Sequence, residues 1–314
     1  MLLVGFCFSS NTAVAEPSDL LEAAKQADVA AVRALLEQGA AVDAIEGDGT
    51  TALHWASYHD EIATVQRLLT AGADVNVAND LGVTPLWTAS QNGSEELVRI
   101  LLTAGANPNL ALLAGETPVM VAARSGAREV VGLLVAHGAA LEARGSRGQT
   151  ALMWAVAQGH SQVVGLLLSQ GADPHARSAV WGEAMGVPPH GQPEYNRDIP
   201  HGGNTALMFA ARVGSVASAR HLIAAGADVD DTNAWGVSAT TMAAHAGFGE
   251  LVASLLEAGA DPNAAEAGFG AIHVAVMRQE LAMVTALLEH GADSNAPLRT
   301  WTATRRASRD FHFA

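Results

Sequence analysis

Residues 84–106 read TPLWTASQNGSEELVRILLTAGA, and their spacing decides the fold. Thr84 can accept hydrogen bonds from the free N–H groups that open a helix, and Pro85, with no donor to leave unsatisfied, suits the first helical position. A short helix therefore starts here. Further along, Val98, Leu101 and Leu102 stand seven, four and three residues before Gly105, offsets that gather their side chains on one stripe of a second helix. Gly105 fits the left-handed residue that stops that helix.

The same pattern recurs. A Gly-Ala pair falls at Gly39, Gly72, Gly105, Gly138 and Gly171 in steps of 33 residues, then at Gly226 after 55, Gly259 after 33 and Gly291 after 32. Fifty-five is one period plus 22, so the chain holds eight units, with one 22-residue insertion and one single-residue deletion. Four before each glycine stand Leu35, Leu68, Leu101, Leu134, Leu167, Leu222, Leu255 and Leu287. Seven before stand Val32, Val65, Val98, Val131, Val164, Ala219, Val252 and Val284. The helix start returns as Thr51-Ala52-Leu53-His54, Thr117-Pro118-Val119-Met120, Thr150-Ala151-Leu152-Met153 and Thr205-Ala206-Leu207-Met208. Ser238-Ala239-Thr240-Thr241 and Gly270-Ala271-Ile272-His273 are weaker copies.

A T-P-L-H-x-A start, a second helix and a closing G-A-D at period 33 resemble the ankyrin repeat, over about residues 18–296. The resemblance implies an all-α solenoid of about eight helix-turn-helix units with hairpin-like loops projecting to one side. It also implies a concave face that binds partners. Within a solenoid of residues 16–296, the first unit (18–40) lacks the threonine start, as N-terminal capping units of the family do. The family is a recognition scaffold, so the expected function is protein binding. His54 and His273 occupy the motif histidine. Trp55, Trp87, Trp154, Met120, Met153, Met208 and Phe209 lie at or beside that position and are expected in the core between helices.

Composition narrows the function. With 49% hydrophobic residues, mostly Ala, Leu and Val, the chain can bury a core and is too apolar for disorder. A net charge of −15 repels a phosphate backbone, so nucleic acid is not expected as a partner. No run of eighteen apolar residues offers a membrane span. Residues 1–15, MLLVGFCFSSNTAVA, have the apolar run and the small-x-small site (Ala13, Ala15) of a secretory signal, although a basic start is missing. The expectation is export, to a periplasm or outside the cell, with Glu16 as the mature N-terminus; without a functioning signal the location is cytoplasmic. Cys7 is the only cysteine, and cleavage would remove disulfide and thiolate chemistry.

The resemblance places the exposed binding face at the loop tips before the threonine motif and at the last residues of each first helix. Those positions hold Asp48, Tyr58 and His59; Asp80, Leu81, Gln91 and Asn92; Arg124; Arg147 and Gln158; Arg212; Trp235 and His245; Phe269 and Arg278. Arginine and aromatic residues are over-represented at binding hot spots. Trp235 and Phe269 fall at equivalent tips of successive units and are expected in one patch, extended by Trp181 and Tyr195.

The insertion, residues 179–200, reads AVWGEAMGVPPHGQPEYNRDIP, with four of the eleven prolines. It is expected to be a functional loop without secondary structure. An alternative reading makes it a ligand- or metal-responsive pocket of Trp181, Tyr195 and His190. The spacings of fifteen and eleven between His175, His190 and His201 fit no fixed metal motif, so no metal or other cofactor is expected. The tail, residues 297–314, carries Arg299, Arg305, Arg306, Arg309 and Trp301. It either folds over the open end of the stack or begins a further repeat, the second being preferred. No G-x-S-x-G, H-E-x-x-H or Walker glycine loop is present, so the chain is not expected to be an enzyme, unless a catalytic domain lies beyond it. The partner expected is another protein, with the oligomeric state open.

Overall fold

A computed structural model describes residues 17–186 and 196–298. The expected signal segment with Cys7, the tail from Arg299 onward, His190 and Tyr195 lie outside these residues. The described residues hold sixteen α-helices and one two-stranded sheet, and they fall in two compact units, within residues 1–140 and 141–314.

The first unit contains α1 (Pro17–Lys25), α2 (Val29–Glu37), α3 (Ala52–Tyr58), α4 (Ile62–Thr70), α5 (Pro85–Asn92), α6 (Glu95–Thr103), α7 (Pro118–Ser125) and α8 (Arg128–Ala136). First helices stack in the order α1, α3, α5, α7 and second helices in the order α2, α4, α6, α8. The second unit contains α9 (Ala151–Ala157), α10 (Ser161–Ser169), β1 (Val180–Gly186), β2 (Asn196–Gly202), α11 (Ala206–Val213), α12 (Val216–Ala224), α13 (Ala239–Ala246), α14 (Gly249–Glu257), α15 (Ala271–Met277) and α16 (Leu281–Glu289). Here α9, α11, α13 and α15 form one layer and α10, α12, α14 and α16 the other. The insertion therefore leaves the stack unbroken: α9 still packs on α11 and α10 on α12.

Local chemistry explains each helix pair. Thr84 Oγ1 accepts from Trp87 N at 3.1 Å and Ser238 Oγ from Thr241 N at 3.3 Å, so the threonine-like position caps the first helix even in a weak copy. The Gly-Ala glycines end the second helices with positive φ, +94° at Gly72 and +96° at Gly259, and Ala73 N closes back on Leu68 O at 3.0 Å. At the positions four and seven before the glycine the stripe is buried in every repeat except at Leu35 and Val284, which belong to the first and last helix pairs among the described residues.

The insertion differs from expectation. It is an antiparallel hairpin in which β1 pairs with β2 from Val180 opposite Gly202 to Gly186 opposite Asn196. Pro188, Pro189 and Pro193 fall between the strands, and Pro200 lies on β2 opposite Gly182. Concentrating prolines between two runs is compatible with a hairpin, because only the runs need ladder donors.

Consecutive repeats are linked by polar rungs. The side chain four residues after each Gly-Ala glycine accepts from the backbone of the next repeat: Asp43 from Asp74, Asn76 from Asn107 and Asn109 from Ala140 in the first unit, at 2.7–3.0 Å. Glu142 from Asp173, Asp230 from Asp261 and Asn263 from Asp293 do so in the second, at 2.7–2.9 Å. At the insertion this position is His175, and no bond from Asp228 N reaches it among the described residues. Arg177 spans that junction instead, donating to Thr232 O (2.6 Å), Gly203 O (3.1 Å) and the Asp231 carboxylate.

Candidate interaction surface

The loop tips are narrow fingers. They turn on glycines with positive φ, such as Gly49 and Gly82, and four pairs of neighbouring fingers are joined by a backbone bond. Asp80 N donates to Asp48 O (2.9 Å) and Leu113 N to Leu81 O (3.0 Å) in the first unit; Ala179 N donates to Arg147 O (2.8 Å) and Ala234 N to Gly202 O (3.1 Å) in the second. Asp48 is held ionised, its carboxyl below the usual range because it accepts from Thr50 N and the Thr50 hydroxyl.

In the first unit the candidates gather on one cluster. Tyr58, 60% exposed, meets the Trp55 ring edge-on at 6.0 Å, and His59 stacks on Trp55 at 6.3 Å. Lys25 Nζ lies 5.0 Å from the Trp55 ring centre, and Trp55 Nε1 donates to Glu46 at 3.2 Å. Trp55 is thus half-exposed rather than core: one position past the buried His54, it turns to the finger base. Trp154, at the same position of its repeat, is also half-exposed, whereas Trp87 is buried. Asp80, Leu81 and Gln91 are exposed, Asn92 Nδ2 caps Tyr58 O (3.1 Å), and Arg124 pairs with Glu116 at 3.5 Å.

In the second unit three fingers meet. Trp181, 40% exposed, stacks on His201 across the hairpin at 5.8 Å; His201 lies 6.4 Å from Trp235, and the Arg147 guanidinium lies 5.4 Å from the centre of the Trp181 ring. His201 thus links Trp181 to Trp235, although the sequence singles it out only by its spacing from His175 and His190. The strand register makes it a member, since Trp181 and His201 are direct partners. Phe269 is half-buried on the following finger, and Tyr195 lies outside the described residues. Arg212 is exposed and lies 5.8 Å over Phe209, while Arg278 Nη1 donates to His245 O at 3.0 Å. These two arginines therefore belong to the ends of first helices. Among the described residues no three His, Cys, Asp or Glu side chains gather as a metal site, and no helix is long and apolar enough to cross a membrane.

Family models of ankyrin repeats, three copies, match residues 20–111, 105–178 and 207–298, leaving out the insertion. Among solved structures, the crystal structure of the human ASB11 ankyrin repeat domain is similar: 28% identity, 77% of this chain and 98% of that chain covered, TM-score 0.63. A search of curated proteins finds no match.

Proposed function

The chain belongs to the ankyrin repeat family, and from that premise we propose that it is a non-catalytic scaffold binding another protein through its concave face of finger tips and first-helix ends, the insertion and the 297–314 tail. Repeats of this family are generally protein–protein interaction modules. The observation that carries the reading is the Arg147–Trp181–His201–Trp235 row: in a chain with 5% aromatic residues, four planar groups follow one another at 5.4–6.4 Å on the fingers, with Trp181 and His201 stacked. Such side chains contribute most to interface energy when a partner desolvates them.

A photo-crosslinking residue placed at Trp235 in the full chain, in its native compartment, should give a discrete adduct with one protein. The same residue at Arg99, on a second helix, should give none. Absence of the adduct at position 235, or equal adducts at both, would refute this surface. Export is part of the proposal, resting on residues 1–15, and mass spectrometry of the native protein should find Glu16 at the N-terminus.

A further inference from the structure

The two edges of the insertion hairpin differ near its base. Pro200 lies opposite Gly182 and has no N–H, so this pair cannot exchange ladder bonds. That fixes the phase: Trp181–His201, Glu183–Ile199 and Met185–Arg197 are the bonded pairs, and Val180, Gly182, Ala184 and Gly186 turn their N–H and C=O groups away from β2. On the β2 side, Gly202 O is taken by Ala234 N at 3.1 Å and Pro200 has no donor to offer. On the β1 side the neighbouring finger ends at the bond from Ala179 N to Arg147 O, and among the described residues the outward groups of Gly182, Ala184 and Gly186 meet no backbone partner. An edge of this kind is a template for an added strand.

A second observation gives the added strand its chemistry. Arg147 is exposed, lies 5.4 Å over Trp181 and pairs with no carboxylate among the described residues, whereas Arg99, Arg124, Arg177 and Arg278 each have one. In a chain with 32 acidic against 17 basic residues, that leaves a guanidinium beside an indole with no carboxylate partner among the described residues, and a guanidinium can take a carboxylate two-pronged.

We propose that the β1 edge takes up an extended acidic segment of a partner protein as a third strand, with a carboxylate of that segment on Arg147. This deepens the scaffold reading and rests on it. The net charge of −15 is spread over the whole chain and screened beyond roughly 8 Å, so the guanidinium at the edge decides the sign of the segment.

The test uses the full chain and a blocked hexapeptide alternating glutamate and valine, with a lysine–valine counterpart. At saturation the glutamate peptide should slow amide exchange at Gly182, Ala184 and Gly186 by at least about tenfold, leaving Trp181 and Met185, already bonded to β2, unchanged. Gly182→Pro removes an outward donor and mirrors Pro200, so it should weaken binding by about five- to tenfold. Retained protection at Trp181 and Met185 will show that the hairpin is intact in that variant. Arg147→Gln should weaken binding similarly, and Asn196→Pro, on the outward side of β2, should not. Equal binding of the lysine peptide, or unaltered binding by Gly182→Pro, would overturn the proposal. If the Trp235 crosslink to the natural partner persists in Gly182→Pro at wild-type strength, the edge proposal fails while the scaffold reading stands.

Discussion

His54 fastens two repeats with one ring. Nδ1 faces Thr51 N and its hydroxyl at 3.1 and 2.9 Å, and Nε2 reaches Val83 O of the next repeat at 2.9 Å. Burial lowers its pKa below the usual histidine value, against smaller opposing effects of the Val83 carbonyl and the Asp48 charge. The folded state therefore resists protonation while the unfolded chain takes a proton near pH 6.5, so the contribution of His54 is present above about pH 6.5 and is lost as pH falls through it. Urea unfolding from pH 8 to 5.5 should show a steeper loss in wild type than in His54→Gln, by at most about 1.4 kcal/mol per pH unit. Leu134, 0% exposed on the repeated stripe, should cost about 2–5 kcal/mol as Leu134→Ala, and exposed Gln158→Ala under about 0.5 kcal/mol, in the same assay. Trp235→Ala should weaken partner binding by about 1–3 kcal/mol, measured by calorimetry, with the melting temperature nearly unchanged. Leu134 was legible because it has seven counterparts in phase; the role of Trp55 was not, since its neighbours Lys25 and Glu46 come from the preceding helix and finger.

The helices are the elements sequence predicts best, because cap, stripe and stop occur at fixed spacing and reinforce one another. The hairpin is the element it missed. Its strands have no periodic copy elsewhere, and Pro200 reads as a loop signal until its outward-facing position is known. Gly202 anchors the base: φ is +84°, and a Cβ there would lie 1.9 Å from Ala179 O and 2.8 Å from the Trp181 ring. Gly202→Ala should therefore destabilise by about 2 kcal/mol or more and separate Trp181 from His201, visible as a change in indole fluorescence. A glycine substitution at Gly159, whose Cβ position is empty, lacks the clash term and isolates the effect of positive φ.

At the scale of the whole molecule, stability in a repeat array is a sum of repeats and of couplings between neighbours. The polar rungs are such couplings, and the one absent at His175 and Asp228 makes that junction of the second unit different from the others. Native-state exchange should therefore find Asp228 N less protected than Asp173 N and Asp261 N, the equivalent amides of adjacent repeats. What spans the junction is Arg177, whose grip includes the ion pair to Asp231, with 42% and 19% of the two side chains exposed. Salt screens a pair of this kind. A segment seated on the hairpin would pull on the chain beside that junction, where the load falls on the α9–α11 and α10–α12 packing and on the Arg177 grip, and of these ionic strength weakens only the ion pair.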